Sequence, residues 1–246
     1  MAEASDHRPQ TRLTVSIILV VRNGAQYIAE ALASVQRAGR APLEILLIDG
    51  HSTDSTVEIA SRFPGVRIVK QDGKGIPAAY NQGLALAKGD TVAFISHDDI
   101  WMDGKLDLQL RAMEADPGLE FTVGMVEHFL AGSAPPPGFR QDLLTKPVPG
   151  LIMEALVARK TVFGRVGLFD TSFAVAEDTD WFARAKDAGA RMTVLPQILV
   201  RKRVHDSNSS LNTANINHLL LRALRGSIDR KKSRPDTENQ GAENDR

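Results

Sequence analysis

Four short aliphatic runs alternate with segments of helical spacing, and this alternation narrows the fold more than any other feature of the chain. The runs cover residues 13–21, 43–48, 66–70 and 91–95. The first contains Val15-Ser16-Ile17-Ile18-Leu19-Val20-Val21, apolar at nearly every position instead of every second one. A strand of that kind is buried on both faces, as in a parallel sheet. Between the runs, residues 25–38 place Ile28, Leu32 and Val35 at helical spacing, and 76–88 read as another helix. Ser55-Thr56-Val57-Glu58 has the pattern of a capping box opening a helix to Arg62. The order β-α-β-α-β-α-β predicts an α/β fold, with a mostly parallel sheet and helices on both faces.

Ligands of such sheets sit beyond the carboxyl ends of the strands. Asn23, Asp49, Asp72 and the pair Asp98-Asp99 all fall just past predicted strand ends, so one crevice can collect them. Two adjacent carboxylates at the end of a buried strand are costly unless a cation meets them. Oxygen ligands suit a hard divalent ion such as Mg²⁺ or Mn²⁺, which commonly carries a phosphate. A turn with a helix N-cap is the competing reading of the same pair.

After Trp101 the pattern loosens. Residues 105–115 form a predicted helix stopped by Asp116-Pro117, and 121–126 a strand. Residues 131–150, rich in proline, read as an irregular loop able to cover a site. A helix over 178–188, two short strands and a helix over 214–225 complete the expectation. The segments 1–12 and 227–246 are polar and patternless and read as disordered tails, leaving a domain over 13–226 with halves 13–101 and 102–226. The cluster Arg230-Lys231-Lys232 reads as part of a solvated tail because acids flank it, with a peripheral contact to anionic lipid as the alternative.

Among 246 residues, Lys plus Arg balance Asp plus Glu at 30 each, so the global charge argues for neither a nucleic-acid nor an anionic-membrane partner. The absence of cysteine removes thiolate metal sites and cysteine nucleophiles, and it fits a reducing, cytoplasmic setting. No apolar run reaches the length that crosses a bilayer.

One glycine motif points elsewhere. Gly73-Lys74-Gly75-Ile76-Pro77-Ala78 matches the G-x-G-x-x-A pattern of dinucleotide sites, which keeps a nicotinamide-dependent oxidoreductase open. It follows the third run, however, and the turn after the first run carries no glycine cluster.

Several stretches in unbroken order carry a stronger resemblance. They are Val15-Ser16-Ile17-Ile18 leading to Asn23-Gly24, then Ile48-Asp49-Gly50-His51-Ser52-Thr53-Asp54-Ser55-Thr56. Next come Lys74-Gly75-Ile76 with Asn81-Gln82-Gly83 and Ala87-Lys88-Gly89-Asp90, and then Phe94-Ile95-Ser96-His97-Asp98-Asp99. Phe163, Val166-Gly167, Phe169-Asp170 and Glu177-Asp178-Thr179-Asp180-Trp181 follow. Together, over residues 13–211, they resemble the family 2 glycosyltransferases, inverting enzymes of the GT-A fold. The chain departs from the family pattern at Val20 and Arg22, at Gly50 and His51, and at Ser96, where the first Asp of the D-x-D metal motif is expected.

The resemblance implies transfer of a sugar from a nucleotide-diphosphate donor, UDP-linked by expectation, to an acceptor hydroxyl with inversion. It implies a divalent cation at Asp98 and Asp99, with His205 as a further metal or phosphate contact. Asn23, Asp49, Lys74 and Asp98 are then donor residues, Asp49 accepting a hydrogen bond from a pyrimidine N–H and Lys74 steadying a phosphate. Asp178 is the expected general base, with Glu177, Asp180 and Trp181 on the acceptor side. Dipole compensation at a helix N-terminus is the plainer reading of that acidic run. A non-catalytic, nucleotide-sugar-binding relative stays open because of Ser96. The acceptor is left open among saccharides, lipid-linked saccharides, proteins and small molecules.

Overall fold

The structure is a computed structural model and describes residues 12–208, 211 and 213–232. Residues 1–11 and 233–246, where most of both expected tails fall, lie outside the described residues.

Strand β1 (Val15–Val21) is buried along its whole length and pairs in parallel with β2 (Glu44–Asp49) on one side and β4 (Thr91–Ser96) on the other. Strand β3 (Val66–Lys70) adds to β2, again in parallel, giving the order β3-β2-β1-β4. Ile17 is flanked by Ile45 and Ala93 in this register, so the apolar runs stack side by side at the centre of the sheet. The crossovers are helices α1 (Ile28–Gln36), α2 (Thr56–Ser61) and α3 (Ile76–Leu86). In α1 the buried positions Ile28, Ala31, Leu32 and Val35 recur at three and four residues, so one face of the helix meets the sheet. In α3, Gly83 packs so closely that a Cβ would stand 2.5 Å from Ile18 Cγ2.

Strand β5 (Ile100–Trp101), helix α4 (Lys105–Ala115) and strands β6 (Phe121–Leu130), β7 (Val148–Pro149) and β8 (Val157–Arg159) follow. Helices α5 (Lys160–Val166) and α6 (Glu177–Asp187), strand β9 (Met192–Val204) and helix α7 (Thr213–Lys232) complete the chain. The sheet continues without a break as β4-β8-β6-β9-β5, with β8 antiparallel to both β4 and β6. An aromatic cluster ties α5 and α6 to it. Trp181 stacks on Phe163 at 4.9 Å, and Phe94, Phe121, Phe169 and Phe182 surround this pair. Each such ring contributes about 1.5–3 kcal/mol on burial. Asn81 on α3 clasps the same region: its Nδ2 donates to the Phe169 carbonyl at 2.8 Å, and its Oδ1 accepts from the Phe169 N–H at 3.0 Å.

The sequence expectations need correction at five places. Ser55 makes no side-chain cap; Asp54 Oδ1 accepts from the Thr56 N–H at 3.0 Å instead, because the carboxylate two residues back closes the turn first. The strand expected over 121–126 runs on to Leu130, since β9 pairs with it beyond Val126. The two short strands expected after Gly189 are one, β9. It absorbs Leu195-Pro196-Gln197 through register shifts around Gly124, where a missing ladder hydrogen bond is tolerated. The loop over 131–150 contains a 3₁₀ turn at Gln141–Leu144 and the short strand β7. Helix α7 continues through residues 227–232, where a patternless tail was expected, because its inner face stays in contact with α6.

Candidate active site

The carboxyl ends of β1, β2, β3 and β4 open into a cavity of about 1060 Å³. Its far wall is the first turn of α6. The three described non-glycine residues with positive φ all line it: Asn23 at 53°, His51 at 62° and Ala176 at 62°. Such backbone costs of order 1–3 kcal/mol at each residue and persists where surrounding contacts dictate it. The contacts are visible at Asn23, whose Oδ1 accepts from the Thr53 N–H at 2.8 Å while its own N–H donates to Ser52 Oγ at 2.9 Å. At Ala176 the left-handed turn immediately precedes α6 and sets Glu177 and Asp178 into the cavity.

Of the expected site residues, the structure gathers Asn23, Lys74, Asp98, Glu177, Asp178 and His205 around this one space. Asp98 is nearly buried, with its Oδ2 2.9 Å from His205 Nε2 and 3.4 Å from Asn208 Nδ2. Burial works against its charge, but the neighbouring His97, Lys202 and His205 outweigh burial and hold the carboxyl below its usual range.

Four expected residues lie elsewhere. Asp99 is fully buried behind the cavity wall, where Lys202 Nζ donates to its Oδ2 and the Arg203 N–H to its Oδ1, both at 2.9 Å. The turn that follows β4 leaves Asp98 on the cleft and Asp99 behind it. Asp180 and Trp181 also turn inward, since a helix separates neighbours by about 100°. Asp180 pairs with Arg184 at 2.8 Å, and Trp181 is fully enclosed with its Nε1 donating to the Gly167 carbonyl at 3.2 Å. Asp49 accepts from the Ser52 N–H at 3.2 Å and shapes the loop, while its neighbours Gly50 and His51 reach the cavity.

The glycine motif explains itself locally. Gly73 and Gly75 have φ of 80° and 85°, and a Cβ on either would meet nothing closer than 3.5 Å. Both adopt a backbone conformation that L side chains rarely take, and they follow the edge strand β3, away from the turn after β1. The oxidoreductase reading has no support in this geometry.

Two residues were missed, Glu154 and Lys202. Glu154 sits in a 3₁₀ turn (Met153–Ala155) and accepts a hydrogen bond from Ser96 Oγ. The serine that replaces an expected acid is thus joined to a carboxylate from 58 residues away. Trp101 Nε1 fixes the same turn by donating to the Glu154 carbonyl at 2.9 Å. Lys202, on β9, places its ammonium 2.9 Å from Asp99 and 3.7 Å from Glu154. Burial alone would lower the lysine pKa; Asp99, Glu154 and Asp98 more than reverse this and raise it above the ordinary value. The only sequence signal for either was a charge beside apolar residues in an expected strand or loop.

Buried carboxyls crowd around Lys202, some on the cavity and Asp99 behind its wall. Burial pushes Asp99 up to about 7, Glu177 up to about 8 with the charge of Asp178 adding to it, and Asp178 up to about 6 with Glu154 adding to it. No group of three or more acidic or histidine side chains stands ready to enclose a metal among the described residues. The adjacent Asp98 carboxylate and His205 imidazole do fit a divalent ion that takes one or two protein ligands and completes its shell with phosphate oxygens and water.

Comparison with known proteins agrees with this geometry. Residues 16–134 match the model of glycosyl transferase family 2. An uncharacterized glycosyltransferase of Rickettsia typhi is 28% identical over 216 residues, covering 81% of this chain and 66% of its own length. The chain thus spans just under two thirds of that relative. Among solved structures, S. aureus TarS 1-349 in complex with UDP-GlcNAc superposes with a TM-score of 0.67 at 17% identity, over 90% of this chain and 67% of that one. Glucosyl-3-phosphoglycerate synthase from Mycobacterium tuberculosis, in complex with Mn²⁺, UDP and phosphoglyceric acid, gives 0.64 at 17% identity over 92% and 80%. These two likenesses show the fold. Residues 16–134 thus match glycosyl transferase family 2 in sequence, and the architecture around them is that of the GT-A fold.

Proposed function

We propose that this protein transfers a sugar from a nucleoside diphosphate donor, UDP-linked, to an acceptor hydroxyl with inversion at the anomeric carbon. The observation that carries the reading is the division of one cavity. The strand-end loops supply Asn23, His51, Lys74 and the Asp98–His205 pair on one side, and the first turn of α6 supplies Glu177 and Asp178 on the other. The nucleoside belongs against Asn23, Gly50 and His51, whose loops are fixed by Asp49 and Asp54. A divalent cation, Mn²⁺ or Mg²⁺, held by Asp98 and His205 supplies charge stabilisation of the departing diphosphate when bound.

Lys74 and Lys202 add fixed positive charge on the same side. Asp178, with its pKa at about 6, is ionised at neutral pH yet basic enough to take a proton from the acceptor hydroxyl. Its Oδ1 accepts from the Thr179 N–H at 2.6 Å, which leaves Oδ2 for the substrate. Glu177, at about 8, is largely protonated at neutral pH and can donate a hydrogen bond to an acceptor oxygen. A base on the face opposite the leaving group gives inversion, by the logic of paired carboxylates in glycosidases. No described helix is long and apolar enough to cross a membrane, and a cytoplasmic setting is part of this proposal.

The experiment is a UDP-release assay over a set of UDP-sugars and acceptors with Mn²⁺, followed by proton NMR of the product. Release that needs an acceptor and yields the opposite anomer supports the proposal. A retained anomer, or no release with any nucleotide sugar, contradicts it.

A further inference from the structure

Helix α7 carries a surface that the donor cleft does not use. Its inner face is anchored to α6: Ala223 is buried, Ser227 Oγ donates to Asp187 Oδ1 at 2.9 Å, and Arg230 Nε donates to Asp187 Oδ2 at 2.9 Å. On the opposite face Leu221, Leu224 and Ile228 are 54%, 60% and 51% exposed. Their spacing of three and then four residues aligns them in one stripe. Arg225 lies four residues beyond Leu221 and Lys232 four beyond Ile228, so two exposed cations border the same stripe. Aliphatic side chains this exposed, in a row and rimmed by charge, mark an interaction surface.

The cations discriminate between occupants. A two-fold pairing with a second copy about the middle of the stripe would set Arg225 against its own counterpart, which like charges oppose. An anionic bilayer takes the aliphatic groups into its acyl boundary while the cations stay among the headgroups. We propose that α7 docks the protein on an anionic lipid bilayer, with Leu221, Leu224 and Ile228 inserted and Arg225 and Lys232 at headgroup level. Leu220, the preceding residue, lines the active-site cavity. Docking therefore sets the cleft beside the membrane, where an acceptor carried on a lipid is within reach. That last consequence rests on the transferase reading above; the docking does not.

The test is co-sedimentation with vesicles of phosphatidylcholine, alone or with one third phosphatidylglycerol. The parent protein should pellet with the anionic vesicles and stay in solution with the neutral ones. Leu221→Gln/Leu224→Gln/Ile228→Gln should abolish pelleting. Arg225→Gln/Lys232→Gln should lower the partition about fivefold per charge removed. Near-UV circular dichroism and UDP titration on each variant separate a docking defect from misfolding or a lost donor site. A parent that stays in solution with anionic vesicles, or a folded triple variant that pellets as well as the parent, overturns the proposal. So does light scattering that shows a dimer which the triple variant converts to monomer, since the stripe then belongs to a second copy.

Discussion

Asp98 Oδ2 and His205 Nε2 stand 2.9 Å apart although 107 residues separate them in sequence. The contact exists because β9 runs beside β5 and returns the chain to the mouth of β4. Arg203 locks it there, its Nε donating to the Asp98 carbonyl at 2.9 Å and its N–H to Asp99. An acid from just past β4 and an imidazole from just past β9 thus form a pair on the cavity wall.

Asp178→Asn keeps the size of the side chain and removes its basicity. The expected result is a fall in kcat of about 10²–10⁴-fold with donor KM little changed. In the parent, kcat/KM should rise with pH through about 6, because the base must lose its proton to work. Steady-state kinetics across pH check both. Near-normal turnover in the variant would move the base to another residue.

Glu177 links stability to pH. Its pKa rises on folding from 4.5 to about 8, with burial as the main cause. Between those values the folded state binds more protons than the unfolded one, so this group's contribution is present below the unfolded pKa and is lost as pH climbs to 8. Glu177→Gln should therefore raise Tm at pH 8.5 by on the order of 5 °C. Near pH 4 it should have little effect. Metal-free thermal melts at both pH values decide it, and an equal shift at both would contradict the assignment.

Lys202 lies between Asp99 and Glu154, and removing one partner of a buried charge group strands the others. Lys202→Met should cost about 3–5 kcal/mol by urea denaturation. Adding Asp99→Asn to Lys202→Met should recover a large part of that loss, since the stranded carboxylate is the main cost. Strict additivity of the two single changes would show that the pair does not interact as its 2.9 Å separation requires.

Asn81→Ala leaves both polar backbone groups of Phe169 without their partner. Denaturation should show a loss of about 1–3 kcal/mol. Because Phe169 packs on Tyr80, which lines the cavity, acceptor KM should rise as well. A variant as stable as the parent would show that the clasp contributes nothing.

The half of the chain up to residue 101 was legible because each of its first four strands is an apolar run closed by a polar turn, and that pattern states both the element and its end. Asn23 and Asp98 could be placed by their position past strand ends, while Lys74 was placed by the family resemblance. Which of two adjacent acids faces the cleft was not legible. Asp98 and Asp99 are separated by the turn between β4 and β5, and Glu177-Asp178 from Asp180-Trp181 by rotation around α6, and both depend on where the neighbouring elements lie. Glu154 and Lys202 reach the site through β8 and β9, whose pairing with β4, β5 and β6 is long-range and carries no local signal. Pro196 lies inside β9, and the extra residues that β9 carries there, taken up by register shifts against β6, let one strand continue.

The account stands most directly on the Asp98–His205 pair as the seat of a divalent ion that carries the donor's diphosphate. Isothermal titration of UDP into the protein, with and without Mn²⁺, tests it in the parent, Asp98→Ala and His205→Ala. The account predicts binding in the parent that strengthens at least about tenfold with Mn²⁺, the equivalent of about 1.4 kcal/mol. It predicts that this enhancement disappears in Asp98→Ala and shrinks in His205→Ala, with metal-free affinity for UDP retained. An enhancement of parental size in both variants would contradict it.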